Sequence, residues 1–334
     1  MLPLDADLER RALDLFERLS ERPGDETFRR RLLTGEGPEV AARIAALERS
    51  AAGARRAMPT EFAAERRPHR PPPEEVGRFR LTELIGEGGM GQVWKGQRSD
   101  GLFEQSGAGK LVHGHLAGLA AGRFAEERRI LARLEHPNIA RLIDGGVLED
   151  GSPFLVMEYV DGRPLDAAAE GLGDGAKVEL FLKAADAVQF AHAHLVVHAD
   201  LKPSNIMVDR TGRVRLLDFG IARLLGDEAE GLQPMTRDYA SPQRLEGAAP
   251  VVADDIYALG LILDELTTGS RDRDLKAVAA KARAADPARR YGDVGALIAD
   301  LGRWRDQLPV AARAADGVGY RAGLFLRRHR WGVA

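Results

Sequence analysis

The chain has 334 residues, with 48 Lys and Arg against 51 Asp and Glu, a formal net charge of −3 and 44% apolar residues. That is enough for a sizeable core in one large domain with an appendage, or in two domains, and the near-balanced charge argues against bulk nucleic-acid binding. The absence of cysteine excludes disulfides, thiol nucleophiles, Cys-ligated zinc and iron–sulfur clusters, and fits a reducing compartment. No apolar run approaches membrane-spanning length, and the polar N-terminus has no apolar signal region, so neither a span nor a secretory signal is expected within these residues.

Residues 1–52 read as helices. Leu4, Leu8, Leu15 and Leu19 fall near one helical face, and Pro23-Gly24-Asp25 interrupts the pattern. A second helix is expected over 26–33, and a third begins at Pro38 and carries Ile44 and Leu47. Residues 53–76, with Arg66-Arg67-Pro68 and Pro71-Pro72-Pro73, read as an extended linker.

The texture changes at Phe79. A strand candidate, 79–85, runs into a Gly-rich loop, and residues 122–135 read as a helix with Phe124, Ile130, Leu131 and Leu134 apolar. Leu155-Val156-Met157 is a short buried strand. Residues 176–194 form a long helix with Val178, Phe181, Leu182, Ala185, Val188 and Ala191 on its apolar face. Two short strands, 206–208 and 214–217, flank the turn Arg210-Thr211-Gly212, and almost everything after Asp254 is helical. Strands first and helices later imply an α+β protein.

Three segments carry chemistry. Gly86-Glu87-Gly88-Gly89-Met90-Gly91 lets backbone N–H groups approach phosphate oxygens. A dinucleotide-binding turn would need a helix next; Gln92-Val93-Trp94-Lys95-Gly96 reads as a second strand instead, making a hairpin lid. On this motif alone, phosphate binding and a structural hairpin are equally compatible. Gly109-Lys110 looks like a Walker loop, but Glu104 stands where its first glycine belongs and Leu111 where its hydroxyl belongs. Lys110 therefore reads as a lysine on a third strand beneath the Gly loop. Finally, His198-Ala199-Asp200-Leu201-Lys202-Pro203-Ser204-Asn205 supplies an Asp able to accept a hydroxyl proton, a Lys and an Asn, and Asp218-Phe219-Gly220 follows. Two carboxylates and an amide oxygen suit Mg²⁺ shared with phosphates.

The order Gly loop, Lys, Asp…Asn, Asp-Phe-Gly matches the protein-kinase signature set. Residues 77 to about 308 resemble a bacterial eukaryotic-type (Hanks-type) Ser/Thr protein kinase. His136-Pro137-Asn138, the hinge-like segment from Val156 to Val160, the segment from Asp255 to Gly260 and that from Asp286 to Tyr291 extend the resemblance. It implies a two-lobed fold, with a β-rich N-lobe and a helical C-lobe behind an N-terminal helical extension. ATP and Mg²⁺, or Mn²⁺ in its place, are the implied cofactors, and a protein is the implied substrate.

The resemblance also implies roles. Gly86, Gly88 and Gly91 cover the phosphates, Val93 and Ala108 sandwich adenine from above with Met207 as floor, and Ile85 is a further ATP-binding residue. Met157 is the gatekeeper, and the backbones of Glu158 and Val160 meet the adenine edge. Lys110 holds the α/β-phosphates and pairs with Glu127. Asp200 deprotonates the acceptor, Lys202 neutralises the γ-phosphate, and Asn205 and Asp218 bind the metal. Thr236 packs against Asp200 and Lys202. The tail 309–334, with Arg327, Arg328 and Arg330, resembles the basic stretch that enters a transmembrane helix in such kinases. A cytoplasmic protein is expected, membrane-anchored only if a span follows Ala334.

Four departures stand out. Ala199 replaces the arginine of His-Arg-Asp, and residues 221–235 contain no Ser, Thr or Tyr, so no loop phospho-switch is expected. Gly107 and Gly109 replace apolar residues, which predicts loose placement of Lys110. Gln243 replaces a glutamate that would pair with Arg290. The region between Thr268-Gly269 and Leu275 is too short for a G-helix. These departures leave a pseudokinase, binding nucleotide or a partner without transfer, as the alternative. Ser241 and Ser270 are candidate phosphosites that read more simply as exposed polar surface.

Overall fold

The computed structural model describes residues 73–88, 91–112, 133–218 and 236–317, with isolated positions outside them. Of the two units into which the chain divides, Met1–Pro72 and Pro73–Ala334, these segments belong to the second. The N-terminal helices, the linker up to residue 72, most of the helix expected at 122–135, the loop 221–235 and the end of the tail lie outside the described residues.

Six antiparallel strands form the first layer in the order β1-β2-β3-β4-β6-β5. They are β1 (Glu75–Val76), β2 (Phe79–Gly88), β3 (Gly91–Arg98), β4 (Ser106–Val112), β5 (Leu142–Val147) and β6 (Pro153–Glu158). Strand alternation divides β4 between two faces. Ala108 and Lys110 share one face with their cross-strand partners Lys95, Val93, Met157 and Leu155. Gly107 and Gly109 turn to the other, where Val76, Phe79, Phe154 and Val156 form a small core.

That second face corrects the reading of the two glycines as a weakness. A Cβ on Gly107 would stand 2.7 Å from a Val156 methyl and 2.9 Å from the Phe79 ring, and one on Gly109 would stand 3.3 Å from Leu81. Side chains of neighbouring strands already fill the space. The strand keeps a regular register across Lys110, which is itself buried.

The helical lobe is built on α2 (Asp174–Ala193), preceded by β7 (Gly162–Pro164) and α1 (Leu165–Ala169). Val178, Phe181, Ala184, Ala185, Ala187, Val188 and Ala191 are buried along α2, whereas Leu182 is half-buried. Burying a side chain such as Phe181 stabilises by about 1.5–3 kcal/mol. Around it stand α4 (Val252–Leu266), α5 (Arg273–Ala282) and α6 (Val294–Arg305). Gly260 lets α4 approach α5, since a Cβ there would meet the Arg283 backbone N at 2.6 Å. Residues 267–272 alone connect α4 to α5, with no intervening helix. Asp272 caps α5 by accepting from the Asp274 and Leu275 N–H groups, and its other oxygen accepts from Trp304.

Between the layers lie β8 (Ile206–Asp209) and β9 (Val214–Leu216), paired with β7 in the order β7-β8-β9. The loop before β5 ties the two layers together. Asn138 donates from its side chain to the Val214 carbonyl at 2.9 Å, and the Leu216 N–H donates to the Asn138 carbonyl at 2.8 Å. Beside them the Arg215 guanidinium donates to the Pro137 carbonyl and lies 3.6 Å from the Glu158 carboxylate. Strand β9 is thereby held just before it delivers Asp218.

Candidate active site

A cavity of about 710 Å³ opens between the sheet and the helical lobe. Its roof comes from the β2–β3 hairpin and β4, with Ile85, Gly86, Gly91, Val93, Ala108 and Lys110. Gly91 is required by the hairpin itself: its φ is +149°, and a Cβ would collide with the Leu111 carbonyl. A Cβ on Gly86 would meet nothing closer than 3.8 Å, so that glycine leaves open space over the cavity. Met157, Glu158, Tyr159 and Val160 form the back edge, where Lys95 lies over the Tyr159 ring at 4.6 Å. Met207 and Leu217 make the floor.

Six polar residues converge in the cavity. Lys110 reaches across to Asp218, 3.0 Å from Nζ to Oδ2. Asp200 Oδ2 lies 2.8 Å from Lys202 Nζ, which also donates to Thr236 Oγ1 at 2.7 Å. The Thr236 N–H donates to Asp200 Oδ1 at 3.3 Å. Asn205 donates from Nδ2 to the Asp200 carbonyl at 2.8 Å, which turns its side-chain oxygen the other way.

The donor set fits a hard divalent cation. Asp218 Oδ1 is buried without a hydrogen-bond partner, a costly state for a carboxylate oxygen unless a ligand meets it. Among the described residues no three His, Asp or Glu gather into a self-sufficient metal site. A cation held by Asp218 and Asn205 would therefore complete its shell from water and phosphate, as Mg²⁺ does.

A single carboxylate holds the loop that carries Asp200. Asp255, buried on α4, accepts from the His198 N–H at 2.7 Å and the Ala199 N–H at 2.9 Å, and pairs with His192 Nε2 at 2.7 Å. His198 Nε2 contacts the Leu217 carbonyl at 2.8 Å, linking this loop to the residue before Asp218. Tyr239 ties the following segment to α4 through its hydroxyl, which donates to Glu265 at 2.7 Å. Burial first, and then that bond, push this phenol well above its ordinary pKa, so it stays a donor.

Of the residues given nucleotide-binding, catalytic or metal-binding roles from sequence, all but two line this one cavity. Gly88 closes β2 at the edge of the described residues, and Glu127 lies outside them. Ser241, read as exposed, is buried and donates to Asp254 at 2.5 Å. Ser270 is half-buried and donates to Asp174 at 2.6 Å. Sequence reasoning missed Asp254 and the anchoring work of Asp255. An acidic pair in the first turn of a helix was the available signal, and it reads equally well as ordinary N-terminal charge.

Residues 79–283 match the protein kinase domain family. The chain belongs to that family. Within it, the similar proteins are bacterial serine/threonine kinases. The chain is 30% identical to serine/threonine-protein kinase PknB of Mycobacterium leprae over 282 residues, covering 72% of this chain and 45% of that one. It is 35% identical to DNA damage-responsive serine/threonine-protein kinase RqkA of Deinococcus radiodurans over 208 residues, covering 58% of this chain and 30% of that one. The chain thus spans less than half the length of these relatives. Among solved structures, the Mycobacterium tuberculosis PknI kinase domain superposes with a TM-score of 0.55 at 25% identity, covering 67% of this chain and 95% of the other.

Proposed function

We propose that the chain transfers the γ-phosphoryl group of Mg·ATP to a Ser or Thr hydroxyl of a protein. The observation that carries this is the meeting, in one cavity, of a Lys110–Asp218 pair 3.0 Å apart with an Asp200–Lys202 pair 2.8 Å apart. The first suits the nucleotide side and the second the acceptor side. Phosphoryl transfer asks little covalent chemistry of the protein; positioning and charge stabilisation dominate.

In this reading Lys110 holds the α/β-phosphates under the glycine hairpin, and the backbones of Glu158 and Val160 meet the adenine edge. Asp218 and Asn205 would hold Mg²⁺, which when bound would neutralise phosphate charge. Asp200 accepts the proton of the attacking hydroxyl. Lys202, fixed between Asp200 and Thr236, meets the charge that develops on the transferred group. Glu127 is the partner proposed for Lys110. Residues 77 to about 308 act as the kinase domain behind the helical region 1–52 and the linker 53–76.

The departures that raised a pseudokinase reading have compensations. Phe79 and Val156 fill the space at Gly107, Asp255 holds the Ala199 backbone, and Gln243 accepts from Arg290 at 2.6 Å. Regulation without loop phosphorylation follows from Ala199 and from the absence of hydroxyls in 221–235. No helix among the described residues is long and apolar enough to cross a membrane. From the resemblance of the basic tail to the stretch that enters a span in such kinases, we propose that the catalytic unit faces the cytoplasm.

The test is incubation of the chain with γ-labelled ATP, Mg²⁺ and a generic acceptor protein, beside Asp200→Asn. Wild type should label the acceptor. The variant should lose turnover while keeping ATP affinity, because Asp200 acts on the acceptor side. Wild-type protein that binds ATP and labels nothing would establish the pseudokinase alternative instead.

A further inference from the structure

The Arg290 side chain has no exposed surface. Its guanidinium donates to the carbonyls of Ala284, Ala253 and Ala285 at 2.8, 2.8 and 3.1 Å, and to Gln243 Oε1 at 2.6 Å. It also lies 4.9 Å from the centre of the Tyr257 ring. All of these partners are neutral, and a buried cation is costly without a counter-charge. Burial accordingly pushes Arg290 below its ordinary pKa, and among the groups that pull it back Asp254 comes first. Asp254 is the carboxylate paired with Arg290 among the described residues, at 4.0 Å and with only 8% of its own side chain exposed. Asp286 acts on Arg290 more weakly, and its carboxylate is engaged at the Ala288 N–H.

Asp254 has a second set of contacts. Its Oδ2 accepts from the Val251 N–H at 2.8 Å, which closes the start of α4, and its Oδ1 accepts from the Ser241 hydroxyl at 2.5 Å. Ser241 in turn caps the short helix α3 (Pro242–Leu245) by accepting from the Arg244 N–H. Upstream in the same segment, Thr236 holds Lys202 and Asp200. The adjacent carboxylate, Asp255, holds the other flank of the acceptor side through His198 and Ala199. Two consecutive aspartates of α4 therefore anchor the two stretches that meet at Asp200.

We infer that Asp254 is a positioning residue that supplies to buried Arg290 the negative charge Gln243 lacks, and so holds the 236–245 segment against the catalytic loop. The inference rests on the kinase reading of the site for its catalytic consequence, and on geometry alone for its charge relation.

Four versions of the full chain test it: wild type, Asp254→Asn, Gln243→Glu, and the double variant. Melting temperature and steady-state phosphorylation are measured on each. Asp254→Asn should melt lower and lose about tenfold or more in kcat while KM for ATP stays within about twofold, since the nucleotide side is untouched. Adding Gln243→Glu should return about half or more of the lost melting temperature and bring kcat within about threefold of wild type, a coupling that independent sites do not show. Asp254→Asn that matches wild type, or a double variant no better than Asp254→Asn, overturns the inference. Where Asp254→Asn alone fails to fold, recovery of folded protein in the double variant supports it and failure to recover overturns it. If wild type itself shows no turnover, the kinase reading fails, and the melting temperatures still decide the charge relation.

Discussion

Helix α2 ends in a way its sequence discourages. The Val196 N–H donates to the Ala191 carbonyl at 3.0 Å and the Leu195 N–H to the His192 carbonyl at 3.0 Å. Those two bonds define the helix-terminating turn whose residue after the cap adopts a left-handed conformation, usually as glycine. Here that residue is Leu195, at φ +61° and 89% exposed. An L-residue in that conformation costs about 1–2 kcal/mol, and an exposed side chain recovers almost none of it by packing. Leu195→Gly removes the strain and adds about 0.5–1 kcal/mol of backbone entropy cost. The net expectation is about 0.5–1 kcal/mol of stabilisation, or roughly 1–4 °C in a domain of this size. Thermal denaturation of the wild type, Leu195→Gly and Leu195→Ala checks it. Glycine should raise the midpoint and alanine, which keeps the Cβ, should not. A glycine variant that melts at or below wild type would refute the strain argument, and so would an alanine variant that gains as much.

The other expectations concern the site and its roof. Gly107→Val should cost about 1–3 kcal/mol by overpacking against Phe79 and Val156, and Phe79→Leu in the same chain should return part of it; denaturant titration of the single and double variants reads the coupling. Thr236→Ala should lower kcat by about tenfold by freeing Lys202, whereas Thr236→Ser, which keeps the hydroxyl, should stay near wild type. Asp218→Ala should abolish the rise in melting temperature that Mg·ATP gives wild type, because the ligand then loses its metal partner. Phosphatase treatment should leave activity within about twofold, since residues 221–235 offer no hydroxyl to dephosphorylate.

The residues that share the cavity could be picked out from sequence because the chemistry proposed for them tolerates few residue types. Lys110, Asp200, Asn205 and Asp218 each suit a distinct charge in the proposed reaction, and their order along the chain sufficed to group them. The strands were readable for another reason: short β-rich runs such as 206–208 and 214–217 flank an unmistakable turn. What escaped was non-local compensation. Nothing near Gly107 announces that Phe79, on the far side of a hairpin, occupies the place of its missing side chain. Ser241 carries no sign of burial, because the burial comes from Asp254 on the next long helix. The loss of charge at Gln243 was visible, but its replacement by Asp254 required the fold that brings both to Arg290.

Two residues at the centre of the site, Ala199 and Asp218, have positive φ without being glycine, at +67° and +54°. Each such conformation costs of order 1–3 kcal/mol and persists only where the surroundings over-determine it. At Ala199 the Asp255 carboxylate does this, taking its N–H and that of His198 together. At Asp218 the restraint is double: Lys110 binds the carboxylate, and the preceding Leu217 is held through its N–H by the Asn205 carbonyl and through its own carbonyl by His198. Apart from Lys110, which reaches across from the sheet, these restraints are contacts among the catalytic loop, the strand before Asp218 and α4. Neither uses the residue-199 side chain, which as alanine has no charge to offer a phosphate. The backbone of the catalytic loop is thus positioned without the residue-199 side chain, which is compatible with the regulation without loop phosphorylation proposed from Ala199 and the hydroxyl-free stretch 221–235.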